Sequence, residues 1–319
     1  SAYRSPHTVP LFASLEGQVD RTMWSELIGL LPMKIPRSHP IPEGVAFDLH
    51  ANGTMQALDT VRASLRGDAG TTVRLSGRVN HLLDTRRLSY DLRIEPFEMG
   101  DGVRSIARTF VPPGTLLPAR LALNAVVKGS MEEVEGAVDL HSDLGDLHGP
   151  FALRGLDRAF PDAVTIDWHA TDLAMARILG DTSLKRADVH LEAEVKDLNS
   201  AQRRGWLQMS SARLGLGNDE ADTLTSRADV RGDSMQVIGR VRSVPVAFEL
   251  VAAGLWPVGN DSLSADLDLL LEHADLMALG LMQHPLNVGG DWHGHAAIDT
   301  SGHGSVSLIM DSTRLQSGT

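Results

Sequence analysis

LSYDLRIE, the stretch from Leu88 to Glu95, decides how this chain folds. Leu88, Tyr90, Leu92 and Ile94 fall on one side of an extended backbone. Ser89, Asp91, Arg93 and Glu95 fall on the other. Side chains of a strand alternate between its two faces, so this pattern describes a ribbon with one apolar and one polar surface. VAFDLHA (Val45 to Ala51) repeats it with Val45, Phe47 and Leu49, and ADVHLEAEVK (Ala187 to Lys196) repeats it with Val189, Leu191, Ala193 and Val195. ARLALNAV from Ala119, VEGAVDLHS from Val134, VTIDWHA from Val164 and LSADLDL from Leu263 continue the series. Strands with a single apolar face belong to antiparallel sheets rather than to doubly covered parallel ones.

Turn signals separate these runs: NGT at Asn52, RGDAG at Arg66, GDL at Gly145 and RGDS at Arg231. Strand, turn and strand at roughly ten-residue spacing is the mark of an all-β meander. LTSRADVRGDSMQVIGRVRS, Leu224 to Ser243, reads as one hairpin folded at Gly232-Asp233.

Four stretches carry helical spacing instead. TDLAMARILGD (Thr171 to Asp181) offers Thr171 or Asp172 as N-cap and Gly180 as stop. HADLMALGLMQHP (His273 to Pro285) has Asp275 near its start and Pro285 after its end. TMWSELIGLLP (Thr22 to Pro32) and EMGDGVRSIARTFVPPG (Glu98 to Gly114) also run into prolines. Aligned on these stretches, the chain reads as one β-rich body over residues 1–319, with degenerate units at 22–97, 98–170, 171–272 and 273–319. Their length excludes the short-period solenoids. Half-apolar strands can cover their faces by closing as a barrel, by pairing as a sandwich, or by folding one long sheet over itself. A serial arrangement is the one that helix-punctuated units favour.

Composition narrows the function. The chain has 319 residues, 29 Lys and Arg against 41 Asp and Glu, and a formal charge of −12. Nucleic-acid binding needs a basic stripe that displaces counterions, and none is present. Docking on anionic headgroups through a polybasic patch is excluded for the same reason. With 42% apolar and 22% charged residues the chain is too rich in core-formers for a disordered segment. It has no cysteine, hence no disulfide, thiolate nucleophile or Cys-type zinc site. No apolar run reaches the ~18 residues of a membrane helix, and SAYRSPHTVP lacks the apolar core of a signal peptide. The sequence therefore reads as an excised fragment, any export or anchoring segment having been cut away.

Chemistry-bearing motifs are sparse. His293 and His295 share a strand face, with Asp291, Asp299 and His303 near in sequence, so a metal site is geometrically open. Solvated histidines are the plainer reading, and no metal or cofactor is expected. His141, His148, His169 and His190 fall at outward positions. Asp266/Asp268 and Asp139/Asp143 sit at polar-face spacing, where solubility explains them better than paired-acid catalysis. Phosphate-loop motifs are absent, and Ser305 follows Gly304 directly rather than standing in a GxSxG elbow. The five tryptophans are scattered, which gives no sugar platform of the kind a polysaccharide-processing solenoid needs. The expectation is a protein that is not an enzyme.

Alternating strands punctuated by TDLAMARILGD and HADLMALGLM, together with ADVHLEAEVKDL and VAFDLHANGTMQALDTVRASLRG, resemble the TamB/AsmA-like family of bacterial envelope proteins. The resemblance extends from about Trp24 to Leu308. It implies a mainly β fold, an elongated, repeated antiparallel sheet folded over into a β-taco-like groove with short amphipathic helices between repeats. It also implies a periplasmic location, with the full-length protein anchored in the inner membrane. The implied role is passage of phospholipid between inner and outer membrane, or assistance in outer-membrane protein assembly, as in a translocation and assembly module. An outer-membrane assembly barrel protein would then be met through a segment outside these residues. A chain of about fifteen methylenes costs on the order of 12 kcal/mol to expose to water, so lipid passage needs a continuous apolar surface. Phe47, Leu49, Leu92, Ile94, Leu121, Leu123, Val189, Leu191, Leu267 and Leu269 are the candidate lining, their role being passive desolvation of phospholipid acyl chains. The alternative is a structural or adhesive repeat, a spacer whose same residues form a dry core without cargo.

Overall fold

The structure is a computed structural model that describes residues 10–20, 44–54, 56–67, 72–98, 117–156, 161–179, 184–216, 219–221, 223–255, 263–279, 281–298 and 304–317. The protein is mainly β and antiparallel. Its contacts divide it into two units, Ser1–Pro150 and Phe151–Thr319.

In the first unit the strands are β1 (Pro10–Asp20), β2 (Gly44–Thr54), β3 (Ala57–Arg66), β4 (Thr72–Asn80), β5 (Ser89–Glu98), β6 (Leu121–Ser130) and β7 (Glu133–Ser142). Each pairs antiparallel with the next in sequence, the meander expected from the turn spacing. Burial along β7 alternates strictly, with Glu133, Glu135, Ala137, Asp139 and His141 exposed and the residues between them half-buried. β8 (Gly145–Arg154) carries the chain from the first unit into the second.

The second unit holds β9 (Ala163–Ala174), a five-residue helix α1 (Met175–Leu179), β10 (Leu184–Lys196), β11 (Arg204–Leu216), the short β12 (Asp219–Ala221), β13 (Thr223–Arg231), β14 (Ser234–Arg242), β15 (Val246–Leu255), β16 (Leu263–Asp275), β17 (Leu286–Ile298) and β18 (Gly304–Ser317). These too form a meander, with β12 beside the end of β11 and β13 pairing β11 along the rest of its length. The hairpin read from Leu224 to Ser243 is present as β13 and β14. Arg231 stands opposite Ser234, and Gly232 has φ of 56° at the first turn position, as a type II′ loop requires.

The helical stretches fare differently. Thr171 to Ala174 continue β9 instead of starting a helix. Thr171 and Asp172 together oppose Asp188, a bulge in which two residues face one. Asp172, at φ 57°, donates its N–H to the Asp188 carboxylate (2.8 Å), and the Arg186 guanidinium pairs with the Asp172 carboxylate. An aspartate that finds partners on the next strand has no reason to cap a helix, so α1 begins only at Met175. His273 to Asp275 likewise stay in β16. Asp275 does cap one turn, its Oδ1 accepting the N–H groups of Met277 (3.0 Å) and Ala278 (3.1 Å). The N–H groups of Leu281 and Met282 then fold back onto the Leu276 carbonyl (2.8 and 3.1 Å), which ends the turn before a helix propagates. Thr22 to Pro32 and residues 99–114 lie outside the described residues. Among the described residues no helix is long and apolar enough to cross a membrane.

Among the described residues, a cluster of closely packed side chains lies at one end of the second unit. Val241, Val246 and Ala274 are buried there, with Leu224, Phe248, Leu271, Leu276 and Leu279 against them and Pro245 fully buried. The Asp275-capped turn thus covers that end of the sheet with Leu276 and Leu279.

Candidate functional site

Register converts the alternation of single strands into surfaces. In the first unit Leu15, Leu49, Ala63, Leu75, Ile94, Ala125 and Val138 stand opposite one another in succession across β1 to β7. One step along the strands, Ala13, Ala51, Val61, Gly77, Leu92, Val127 and Gly136 form a parallel row. Directly opposed residues of an antiparallel pair point to the same side, so each row is a stripe on one face. Neither row contains a polar side chain.

The second unit repeats the arrangement on a longer sheet. Ile166, Ala193, Leu207, Ala228, Val237, Ala252, Leu267, Gly294 and Leu308 form one row from β9 to β18. The neighbouring row runs Trp168, Leu191, Met209, Ser226, Gly239, Leu250, Leu269, Trp292 and Met310. Measured along the sheet at the usual strand separation, each spans roughly 38 Å.

All ten candidate lining residues lie on these apolar faces. Leu49 and Ile94 share the first row of the first unit and Leu92 belongs to the second. Phe47 sits beside them opposite Leu65, and Leu123 and Leu121 continue the face along β6 opposite Leu140 and Ser142. In the second unit Val189 stands opposite Ala170, Leu191 opposite Trp168, Leu267 opposite Ala252 and Leu269 opposite Leu250. The first six belong to one unit and the last four to the other. All ten are half-buried. Full burial falls to small residues between larger ones, such as Ala193 (4% exposed) and Ala252 (7%). At the outer strands the same faces are open: Leu15 is 55% exposed on β1, and Leu308 and Met310 are 47% and 61% exposed on β18.

The opposite face is charged, with ion pairs both across and along its strands. In the first unit Arg78, Asp91, Lys128 and Glu135 face one another in alternating sign, Lys128 and Glu135 being 3.3 Å apart. In the second, Arg240 forms a two-pronged pair with Glu249 (3.0 Å each), and Arg227 grips Asp229 while its guanidinium lies 5.2 Å from the Trp206 ring. The Arg227 pair holds the Asp229 carboxyl below its ordinary range. Asp266 and Asp268 are spent on histidines. His295 Nδ1 is 3.0 Å from Asp266, and His293 bridges Asp268 through Nδ1 (2.5 Å) and Asp311 through Nε2 (3.1 Å). Because the two nitrogens of His293 point to different carboxylates, this group does not converge on one point. Asp299 and His303 lie outside the described residues.

The chain matches no family model, no curated protein and no solved structure.

What the site can do therefore rests on its own geometry. Each unit presents a half-exposed, largely apolar face, with Ser226 of the second unit as the one polar side chain in the rows, backed by a polar face that carries ion pairs. Sequence reading missed the pairing of His169 with His190, whose rings stack with centroids 3.9 Å apart. They are 21 positions apart in the chain, and only the β9–β10 register brings them together. A second omission is the role of Asp188 beside the bulge. Its carboxyl is held below the ordinary range, first by the Asp172 N–H and also by Arg213.

Proposed function

We propose that this chain is a lipid-conducting segment of a TamB/AsmA-like periplasmic bridge protein, in which the apolar face of each unit shields phospholipid acyl chains from water between inner and outer membrane. The observation that carries this reading is the pair of continuous rows in each unit, apolar at every strand but for Ser226 on β13, whose larger side chains are mostly only half-buried. A dry core of this composition would bury its leucines, since a fully buried leucine contributes about 2 kcal/mol more than an exposed one. Here Leu49, Leu92, Leu191, Leu267 and Leu269 all keep surface open, and full burial is left mostly to alanine and valine. A surface of this length that stays partly uncovered in an otherwise charged molecule fits an apolar occupant.

Extraction of the untagged chain, purified without detergent from a bacterial host, tests the reading. Organic solvent followed by mass spectrometry of the extract should recover phospholipid in at least equimolar amount. An extract free of phospholipid would favour the alternative, a spacer whose sheet faces serve only to join repeats.

A further inference from the structure

On the polar side of the β9–β10 ladder, directly behind the Trp168–Leu191 pair, three metal-ligating side chains meet, with Glu192 beside them. His169 stands opposite His190, and Asp167 stands opposite Glu192. His190 Nε2 lies 2.8 Å from Asp167 Oδ1 and 3.9 Å from Glu192 Oε1, and His169 Nδ1 lies 3.7 Å from Asp167 Oδ1. One donor atom each from Asp167, His169 and His190 fall within 4.8 Å of one another.

We propose that Asp167, His169 and His190 form a divalent transition-metal site of the zinc class, with Glu192 in reach as a fourth ligand. Bond lengths of about 2.0–2.1 Å around a tetrahedral ion place donors roughly 3.3 Å apart, which the observed spacings bracket. Two imidazoles with one or two carboxylates suit Zn²⁺, Ni²⁺ or Cu²⁺, whereas Mg²⁺ and Ca²⁺ take oxygen donors. The ligands stand on two adjacent hydrogen-bonded strands, so the backbone fixes the spacing of their Cα atoms, and one imidazole turns out of the observed stack to bring a nitrogen of each ring onto the ion. His190 is two-thirds covered and His169 about half open, which leaves the ion a route in from solvent. A bound ion would rivet β9 to β10 beside the Asp172 bulge and hold in register the apolar residues on the other face. The inference is independent of what that face carries.

Titration of the untagged, chelator-stripped chain with zinc chloride and nickel chloride in a calorimeter tests it. One ion per chain is expected, with affinity falling about tenfold or more in His169→Ala and in His190→Ala. The double variant His293→Ala/His295→Ala should bind as the parent does. His169 is the more exposed ligand, so His169→Ala is the variant expected to fold unchanged, checked by circular dichroism. No stoichiometric binding, or binding that survives loss of His169, or binding lost with His293 and His295 instead, overturns the assignment.

Discussion

Leu269 of β16 stands directly opposite Trp292 of β17 and Leu250 of β15, in a row that crosses the second unit from Trp168 to Met310. Its side chain is half-buried, as is that of Leu191 in the same row. Whether such positions tolerate charge separates an accessible apolar surface from a sealed core.

Leu191→Arg should therefore fold. At a half-open position the arginine stem lies along the apolar face while its guanidinium reaches water, at a cost of about 1 kcal/mol. Ala187, with no exposed surface, is the contrast. Ala187→Arg buries an unpaired charge and should cost several kcal/mol or prevent folding. Urea denaturation of the two variants checks the ordering, and phospholipid recovery from Leu191→Arg should fall sharply while its fold persists.

Two glycines on the apolar faces should respond oppositely to a methyl group. Gly77, at φ 154°, lies so close to β5 that a Cβ would stand 2.1 Å from the Asp91 carbonyl oxygen. Gly77→Ala should cost about 2 kcal/mol through that clash. At Gly239 the nearest atom to an added Cβ is Leu250 Cβ at 3.9 Å, ordinary contact. Gly239→Ala should be neutral or stabilising by about 0.5 kcal/mol, because it restricts the unfolded chain. Denaturation midpoints of both variants against the parent decide this.

Much of this was legible in the residues, and the reasons differ by element. Period-two alternation in LSYDLRIE and ADVHLEAEVK identifies both the strands and the face each side chain takes, because the strand period is a property of the local backbone. The Gly232-Asp233 hairpin was equally local. Helical spacing after Thr171 holds only from Met175 to Leu179, and after His273 only as a single turn, because tertiary partners overrode the rest: Asp188 and Arg186 hold Asp172 in a bulge, and Ala274 stays paired with Val246. The His169–His190 pair was hidden for a related reason. Alternation places both outward on their strands, yet neighbourhood on that face depends on cross-strand register, which no single strand encodes.

His293 carries a pH dependence. Its hydrogen bond to Asp268 first, then the charges of Asp268, Asp311 and Asp291, raise its pKa above the ordinary value. A raised folded-state value means that protonation stabilises the fold. That contribution is fully present below the unfolded value near 6.5 and disappears as pH rises through the higher folded value. The stability difference between the parent and His293→Gln should thus be largest in mildly acidic buffer and vanish in alkaline buffer, in a series of urea titrations across pH. The contact is solvent-exposed, so high salt should shrink the difference.

Arg203 ties two turns together from a buried position. Its side chain is 4% exposed, its Nε donates to the Gly232 carbonyl (2.8 Å) and its Nη2 to Asp233 (3.2 Å). Arg203→Ala leaves the part-buried Gly232 carbonyl without that donor and opens the space the guanidinium fills, and should destabilise the second unit by about 1–2 kcal/mol. Arg203→Lys keeps the charge without the fork and should fall between. Thermal unfolding of both variants gives the order.

The account depends most on the claim that the apolar rows, and not the polar backs of the same strands, meet hydrocarbon. A photo-cross-linking amino acid placed in living cells at Leu92, Leu191 or Leu269, and in parallel at Asp91, Glu192 or Asp268 one step along the same strands, measures this directly. Phospholipid adducts are predicted at the three leucine positions and none at the three acidic ones. Adducts absent from all six, or equal on both faces, contradict it.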